Sequence, residues 1–193
     1  MKIIFATNNK NKVEEIKHLS HQKFEIFTLQ EVGIDIDIPE PHDTLEANAT
    51  EKSTTIYKLT NEAVFSEDTG LEVHALGGAP GVKSARYAGE ERNMQDNIDK
   101  LLAELKDKPT RAAQFRTVVS LIIGGKEFQF EGICKGHITH EMDGSNGFGY
   151  DPVFIPEGSN TTFANMDIAE KNKFSHRKKA VQQLIDFLNA YQA

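Results

Sequence analysis

The sequence predicts an α/β fold in which an elongated mixed β-sheet is flanked by helices and extended by a hairpin lobe. In the first half of the 193-residue chain, short apolar runs alternate with segments of helical periodicity, as they do in βαβ units. Between residues 111 and 138, strand-like segments follow one another without a helix, which a purely parallel sheet does not allow. We therefore expect a single domain over residues 1–193, with a lobe around residues 111–140.

The first predicted strand, over residues 2–6, runs into a polar segment at residues 7–12. Val13, Ile16 and Leu19 then recur at helical spacing. Backbone N–H groups and the dipole at a helix start attract phosphate, so this segment is a candidate phosphate site. It lacks the spacing of a Walker loop. The alternative is an asparagine-rich turn with an ordinary N-cap.

Residues 24–29 predict a second strand, after which Pro39 and Pro41 prevent an acidic loop from forming a helix. A helix is predicted from Thr44 onwards, with a buried face formed by Leu45, Ala49, Ile56 and Leu59. Glu46 and Lys52 fall in its first two turns, on a side that could face the edge of the sheet. The alternative for both is a solvated helix surface.

Residues 63–65 predict a short buried strand that stops before Glu67 and Asp68. In an open α/β sheet the carboxyl ends of strands bind ligands, so both carboxylates would point into the binding crevice. Adjacent carboxylates repel each other, which indicates a bound cation, and Mg²⁺ prefers oxygen ligands of this kind. The alternative is an acidic turn in which Asp68-Thr69-Gly70 only ends the strand.

Three glycines and Pro80 make residues 76–87 a tight loop, in which Arg86 is a candidate phosphate contact and a plain connection is the alternative. An amphipathic helix follows, with Met94, Ile98, Leu101, Leu102 and Leu105 on one face. Residues 111–123 predict a long strand that turns at Gly124-Gly125 and pairs back through residues 126–130. Residues 133–138 predict a further strand.

The glycine-rich segment 143–152 is a second candidate site. Phe148 and Tyr150 offer π faces for stacking on a purine, which contributes about 1 to 3 kcal/mol per base. Asp151 could accept hydrogen bonds from a base or a sugar. The alternative is an aromatic turn that packs on the core.

A basic segment precedes and opens the last predicted helix, for which Ser175 is the N-cap and Val181, Leu184, Leu188 and Tyr191 form the core face. Cations at a helix start oppose the helix dipole, whereas a bound anion would make dipole and cations act together. The alternative is a set of exposed basic residues. Five cations and a histidine lie in this segment: Lys171, Lys173, His176, Arg177, Lys178 and Lys179.

Composition excludes several classes of function. The net charge of −7 argues against long nucleic acid as a partner. No apolar run approaches the roughly 20 residues of a membrane span. Cys134 is the single cysteine and fits a reducing compartment, most simply the cytoplasm.

Together these segments resemble the Ham1/RdgB-like inosine triphosphate pyrophosphatases over nearly the whole chain. The resemblance rests on six motifs in the family's order: Ala6-Thr7-Asn8-Asn9 with Lys12 and Glu15; Glu46-Ala47-Asn48-Ala49 with Lys52; residues 66–71; Gly77-Gly78-Ala79-Pro80-Gly81 with Ser84-Ala85-Arg86-Tyr87; Phe148-Gly149-Tyr150-Asp151-Pro152; and Lys171 with Ser175-His176-Arg177. The chain departs from the family's usual pattern at Asn8, where glycine is common, and at Glu67 and Thr69, where aspartate and serine are usual.

The resemblance implies a homodimeric, Mg²⁺-dependent enzyme that cleaves ITP, dITP and XTP to the monophosphate and pyrophosphate, and so cleanses the nucleotide pool. It implies that Asp68 is the catalytic carboxylate and a metal ligand, with Glu40 as the second metal carboxylate. The residues that would hold the triphosphate are Thr7, Asn8, Asn9, Lys10, Asn11, Lys12 and Lys52. Those that would contact the rest of the substrate are Thr69, Phe148, Gly149, Tyr150, Asp151, Lys171, His176 and Arg177.

Two other functions remain open from the sequence. One is a Maf-like pyrophosphatase for modified nucleotides, which a panel of dITP, XTP and modified UTP would distinguish. The other is a non-catalytic nucleotide-binding sensor. Glu67 and Asp68 argue against a sensor, because carboxylates do not help a protein to bind phosphates unless a metal is present.

Overall fold

The strands of this chain form a mixed sheet, which confirms the predicted α/β class. The computed structural model describes residues 1–17 and 24–191, so the predicted helical position Leu19 lies outside the described residues. Within the described part, seven strands form one sheet in the order β2-β1-β3-β5-β6-β7, with β4 paired to β3. These strands are β1 (Lys2–Phe5), β2 (Glu25–Thr28), β3 (Ala63–Val73), β4 (Pro80–Gly81), β5 (Ala112–Ile123), β6 (Lys126–Ile138) and β7 (Phe154–Pro156).

The helices are α1 (Lys10–Lys17), α2 (Leu45–Thr60), α3 (Met94–Glu104), α4 (Ile168–Phe174) and α5 (His176–Ala190). Short 3₁₀ turns lie at His74–Leu76, Ser84–Arg86, Asp151–Val153 and Phe163–Asn165. Within the described ranges, no helix has the length and apolar character needed to cross a membrane.

The chain divides into two compact units. Unit 1 comprises the described residues of Met1–Asp68, Thr117–Gly132 and Lys178–Ala193, and unit 2 comprises Thr69–Arg116 and Ile133–Arg177. The β1 strand lies parallel to β2 and to β3, with Ile4 beside both Phe27 and Val64. Antiparallel pairs join β3 to β4 and β6 to β7. Parallel and antiparallel pairs therefore occur in one sheet, as the sequence predicts.

Unit 1 contains an apolar core in which β1, β3, β5 and α5 meet. Phe5 and Phe65 stack at a centroid distance of 4.4 Å. Val181, Leu184 and Leu188 on α5 belong to this core, as predicted. On α2, the N-cap hydroxyl of Thr44 accepts from the amide of Ala47, which confirms where the helix begins.

Leu59 on α2 differs from the prediction. Leu45, Ala49 and Ile56 are buried, but Leu59 is 62% exposed. It shares the angular position of the buried face, yet it lies in the last turn of the helix. The buried part of this face therefore ends at Ile56.

The β3 strand does not stop after Phe65 but continues to Val73, so the predicted short strand and the alternative acidic turn are both wrong. The reason is the pairing of β3 with β4, in which Leu71 lies opposite Gly81. A Cβ atom on Gly70 would lie 2.7 Å from the carbonyl oxygen of Gly81, so only glycine permits this approach. Tertiary pairing thus overrides the turn preference of Thr69-Gly70, and Glu67 and Asp68 lie inside the strand.

The hairpin prediction is confirmed at the turn but not in the strand that follows. Gly124 and Gly125 have φ values of 56° and 74°. A two-residue hairpin turn of type I′ requires a positive φ at both of these positions. The predicted pair of strands after the turn is one continuous strand, β6. Gly132 does not interrupt it, because a glycine inside a strand gives up side-chain packing but keeps its backbone hydrogen bonds.

Unit 2 contains a second apolar core, which includes Leu71, Ile98, Phe115, Phe154 and Phe163. Cys134 is also buried in this core, and Ile98 and Leu101 on α3 face it as predicted. Helix α4 was not predicted. Ser175 ends α4 and immediately precedes α5, so the predicted start of the last helix is confirmed.

Candidate active site

The first candidate site is a group of six residues in unit 1, Lys12, Glu40, Asn48, Lys52, Glu67 and Asp68, which we call the carboxylate cluster. Glu67 and Asp68 are neighbours in β3, and successive side chains of a strand point to opposite faces. Their ion pairs are accordingly with different lysines, although the charge of Lys12 also acts on Asp68. The expectation that both carboxylates point into a binding crevice stays a prediction. Lys12 Nζ lies 3.5 Å from Glu67 Oε1, and Lys52 Nζ lies 3.2 Å from Asp68 Oδ1.

Lys52 joins two carboxylates that are 28 residues apart in the chain. Its ammonium nitrogen lies 2.5 Å from Glu40 Oε1 as well as 3.2 Å from Asp68 Oδ1. Lys52 reaches them from the second turn of α2, whereas Glu40 lies in the loop before that helix. The structure therefore brings together the three residues that the resemblance implies as catalytic carboxylate, second metal ligand and triphosphate contact.

Burial controls the ionisation of this cluster. Burial raises the pKa of Asp68, with a further contribution from Glu40, although Lys52 and Lys12 act in the opposite direction. Burial alone would lower the pKa of Lys52, but the charges and hydrogen bonds of Asp68 and Glu40 outweigh it and raise the pKa. Asp68 is thus a carboxylate with greater affinity for a proton than an exposed aspartate has, held beside a fixed ammonium group.

Asn48 is a member of the cluster for which no role was predicted from the sequence. It is fully buried, and its Nδ2 donates to Asp68 Oδ2 at 3.2 Å. A signal was present in the sequence, because Asn48 and Lys52 are four residues apart and therefore share one face of α2. Asparagine is also unfavourable inside a helix unless its side chain finds a partner.

The predicted phosphate segment forms a capped helix start. Asn9 Oδ1 accepts from the amides of Asn11 and Lys12, and the hydroxyl of Thr7 accepts from the amide of Asn9. The side chain of Asn8 instead donates to the carbonyl of Ile36, at 2.8 Å. Asn9 therefore forms an ordinary N-cap, which was the alternative for this segment. Lys10 and Asn11 are exposed. Contacts from this segment to phosphate stay a prediction.

The second candidate site lies in unit 2 and consists of Phe115, Phe148, Asp151, Lys171, His176 and Arg177, which we call the aromatic cluster. Asp151 Oδ2 accepts from the amide of Phe148 at 3.0 Å and from Lys171 Nζ at 2.7 Å. Gly147 has a φ of +79°, and a Cβ there would lie 2.1 Å from Asp151 Oδ2. Asp151 therefore folds the turn around Phe148 and holds Lys171.

Two cations lie beside the Phe148 ring. Lys171 Nζ is 5.2 Å from the ring centroid, and the guanidinium carbon of Arg177 is 5.7 Å from it. His176 stacks on Phe115 at 4.7 Å with an interplanar angle of 13°. His176 and Arg177 are both buried, so they are not exposed members of a basic patch.

Tyr150 does not share the position of Phe148. It is buried in the core of unit 2, and its hydroxyl donates to the carbonyl of Ser84 at 2.8 Å. This is the core-packing alternative raised for the aromatic residues of the turn. Phe148 is half-buried, and Gly149 has a φ of +63° with open space where a Cβ would stand.

The predicted basic segment is divided between the two units. Lys171, Lys173 and Arg177 belong to unit 2, whereas Lys178 and Lys179 belong to unit 1. Lys171 is ion-paired with Asp151, and Lys173 is exposed. Thr69, the first residue of unit 2, is half-buried in β3.

The Arg86 loop is held on α3 by a buried asparagine. Asn97 Oδ1 accepts from the amide of Ala88 at 2.6 Å, and its Nδ2 donates to the carbonyl of Ala85 at 3.0 Å. Arg86 and Tyr87 lie between these two bonds, and the Tyr87 hydroxyl donates to Glu104. The loop is therefore a fixed element of unit 2, and a phosphate contact from Arg86 stays a prediction.

Within residues 1–17 and 24–191, no group of three or more histidine, cysteine, aspartate or glutamate side chains is arranged to hold a metal ion. Glu40 and Asp68 share Lys52, and Glu67 pairs with Lys12, so Glu40 is the carboxylate that the structure associates with Asp68. Mg²⁺ commonly takes only one or two carboxylates and completes its shell with water and phosphate oxygens.

Comparison with known proteins shows the family to which the chain is similar. Residues 3–187 match the model of the Ham1 family. The chain is 53% identical to the dITP/XTP pyrophosphatase of Porphyromonas gingivalis, covering 97% of each sequence. It is 49% identical to the protein of the same name from Flavobacterium johnsoniae, covering 98% of this chain and 99% of that one. The structure of the Staphylococcus aureus Ham1 protein superposes with a TM-score of 0.91 at 37% identity, covering all of both chains.

Proposed function

The chain belongs to the Ham1 family, and from that premise we propose that it hydrolyses the non-canonical purine nucleoside triphosphates ITP, dITP and XTP to monophosphate and pyrophosphate. The observation that carries the proposal is the placement of Asp68, a buried carboxylate held between Asn48 and Lys52. The names of the relatives supply the substrate class. The two alternatives considered from the sequence, a Maf-like enzyme and a sensor, have no support in these matches.

The proposal places Mg²⁺ at the carboxylate cluster, which offers oxygen ligands of the kind this ion prefers. Three carboxylates, Glu40, Glu67 and Asp68, lie among two lysines, so the group carries an excess of negative charge in a buried setting. Glu40 and Asp68 offer hard oxygen ligands that already contact one common cation, the ammonium of Lys52. These two residues would hold Mg²⁺. The bound ion would supply positive charge opposite the phosphoryl oxygens.

Hydrolysis requires a base, and Asp68 is the candidate. A water molecule attacks the α-phosphorus, its proton passes to Asp68, and the bond to the bridging oxygen breaks so that pyrophosphate leaves. A carboxylate whose pKa is raised by burial accepts a proton more readily than an exposed one. Lys12 and Lys52 would stabilise the negative charge that grows on the phosphoryl oxygens.

Recognition of the base is assigned to the aromatic cluster. The ring of Phe148 would stack on the purine, while His176 and Arg177 would donate hydrogen bonds to a 6-oxo group. A 6-amino group would place donor against donor, and a buried polar group left unpaired costs about 1 to 3 kcal/mol. Adenine nucleotides would therefore be poor substrates.

The test is release of pyrophosphate from dITP, XTP, dATP and a modified UTP, measured with the wild type and with Asp68→Asn. We expect turnover of dITP and XTP with Mg²⁺, little turnover of dATP or the modified UTP, and none when EDTA removes the metal. Equal turnover by Asp68→Asn would remove Asp68 from the mechanism. A preference for the modified UTP would replace the proposal with the Maf-like activity.

The proposal also includes a homodimer that works in the cytoplasm. The family resemblance supports the dimer, and the single, buried Cys134 is consistent with a reducing compartment. Light scattering during gel filtration would test the dimer, because the monomer has a mass of 21.6 kDa. A single species of that mass at working concentration would contradict it.

A further inference from the structure

Asn48 is a buried amide that no step of the proposed mechanism uses. Its Oδ1 accepts from the amide of His42 at 2.9 Å. Its Nδ2 donates to the carbonyl of His42 at 3.1 Å and to Asp68 Oδ2 at 3.2 Å. Both polar atoms of the side chain are therefore engaged, and the two bonds to one residue fix the orientation of the amide.

One end of this arrangement orients Asp68. Helix α2 provides a donor to each oxygen of the carboxylate, with Asn48 on Oδ2 and Lys52 on Oδ1. Lys52 is a cation that divides its contacts between Asp68 and Glu40, whereas Asn48 is neutral and is held by His42. Asn48 therefore sets the plane of the carboxylate and turns Oδ1 towards the cation that Asp68 shares with Glu40.

The other end restrains the loop that carries Glu40. Residues 34–41 have no helix or strand, so their position depends on side-chain contacts and isolated hydrogen bonds. His42 is two residues beyond Glu40, and both of its backbone polar groups are bonded to Asn48. Because Pro41 lies between them and has a fixed φ, the anchored His42 limits where Glu40 can stand.

We propose that Asn48 is a positioning residue that sets the separation between the carboxylates of Asp68 and Glu40, and thereby the affinity of this pair for a divalent cation. The part concerning the cation rests on the proposed function, whereas the restraint on the loop does not. Asn48 acts through Asp68 and His42 and does not itself contact substrate. Outer-shell partners of this kind usually change metal affinity or activity by about 10 to 100-fold when they are removed.

The chain contains a matched control. Asn97 is also a buried asparagine on a helix, and it too bonds one amide and one carbonyl of a neighbouring loop, those of Ala88 and Ala85. Its partners are backbone groups, without the bond to a carboxylate that Asn48 makes. Asn97→Ala therefore reproduces the loss of a buried loop anchor and leaves the oxygens of Asp68 as they are.

The experiment compares the wild type, Asn48→Ala, Asn48→Ser and Asn97→Ala. Binding of Mn²⁺ alone is measured by calorimetry, because Mn²⁺ accepts the same oxygen ligands as Mg²⁺. Hydrogen exchange of the amides of residues 34–44 is measured without metal. Steady-state kinetics then separate kcat from the concentration of metal that gives half-maximal rate. Serine serves as a second variant if alanine prevents folding, because its hydroxyl supplies one polar group in place of the amide and it leaves a smaller void.

We expect the Mn²⁺ dissociation constant to rise by about 10 to 100-fold in the Asn48 variants and to stay unchanged in Asn97→Ala. Amides of residues 34–44 should exchange faster only in the Asn48 variants, and excess metal should restore part of their kcat. The same dissociation constant in Asn48→Ser as in the wild type, or an equal loss in Asn97→Ala, would overturn the proposal. If the wild type releases no pyrophosphate, the proposed function fails, while metal binding and amide exchange still decide the role of Asn48.

Discussion

The carboxylate cluster and the aromatic cluster both bury ionised side chains, but they differ in the charge that is left over. In the carboxylate cluster three carboxylates lie among two lysines, whereas in the aromatic cluster Asp151 lies beside Lys171 and Arg177. The first can take additional positive charge and the second additional negative charge or an electron-rich ring. This difference in charge is why we propose the carboxylate cluster for catalysis and the aromatic cluster for recognition of the base.

The clusters also differ in how their side chains are held. In the carboxylate cluster the contacts are ion pairs and one hydrogen bond from an amide. Removal of one ionic partner therefore leaves the other as a buried charge that is not compensated. In the aromatic cluster the Phe148 ring lies beside two cations, and its apolar side chain can be removed without taking a hydrogen-bond partner from a buried polar atom. In the carboxylate cluster, loss of the base should therefore lower kcat and loss of the shared cation should lower stability. Changes in the aromatic cluster should affect KM.

The largest expected effect is on catalysis in Asp68→Asn. Asparagine keeps the shape of aspartate but cannot accept the proton of the attacking water, so kcat for dITP should fall by about 10² to 10⁴-fold. The melting temperature should change little, because burial already opposes the charge of Asp68. Pyrophosphate release and thermal unfolding, measured on the same preparation, check both statements. A melting temperature that falls steeply would make Asp68 a structural residue.

Lys52→Met should give the largest loss of stability. It leaves Glu40 and Asp68 without their common cation, and breaking a buried ion pair on one side costs about 3 to 5 kcal/mol. Without Lys52 the pKa of Asp68 rises further, so the folded state of the variant is favoured at low pH and loses stability as pH rises through that pKa. Urea titrations between acidic and neutral pH should show the deficit of the variant growing with pH. A loss of stability in Lys52→Met that became smaller as the pH rose would contradict this prediction.

Phe148→Ala should raise KM for dITP and leave kcat nearly unchanged. Loss of one stacking contact of about 1 to 3 kcal/mol corresponds to a rise of about 5 to 150-fold. Phe130→Ala is the control, because Phe130 is a half-buried phenylalanine that packs on Phe187 in unit 1. An equal rise of KM in both variants would show that Phe148 acts through general stability rather than through the base.

The smallest expected effects separate two lysines of α4. Lys171→Met removes the ion pair with Asp151 and the cation beside Phe148, so KM should rise while kcat holds. Lys173→Met changes an exposed side chain and should leave the free energy of unfolding within about 0.5 kcal/mol of the wild type, with KM unchanged. Measuring KM and kcat for the two variants side by side tests whether a positive charge on this helix acts at one position or by general attraction of the anionic substrate. Equal effects would favour general attraction.

The sequence predicts most of the elements because their signals are local. Hydrophobic periodicity locates α2, α3 and α5, and the Gly124-Gly125 pair locates the hairpin turn. The end of β3 could not be predicted, because it depends on the approach of Gly81 to Gly70, which no local signal records. The length of β6 was missed because an isolated glycine weakens a strand without ending it.

For the site, residue types were predictable but orientations were not. Asp68, Glu40 and Lys52 come together as the resemblance implies, whereas Glu67 forms its ion pair with Lys12, because neighbouring strand residues alternate in direction. The basic segment looked continuous in the sequence, but the boundary between the compact units falls between Arg177 and Lys178. Clustering in the sequence does not reveal which side chains a fold will bury.

The burial of Cys134 has a practical consequence for spectroscopy. It is the chain's single cysteine and only 2% exposed, so a maleimide dye should react slowly with the native protein. A cysteine introduced at an exposed position such as Lys173 would then be labelled selectively, without first replacing the natural thiol. Fluorescence experiments on nucleotide binding can therefore begin from the unaltered core.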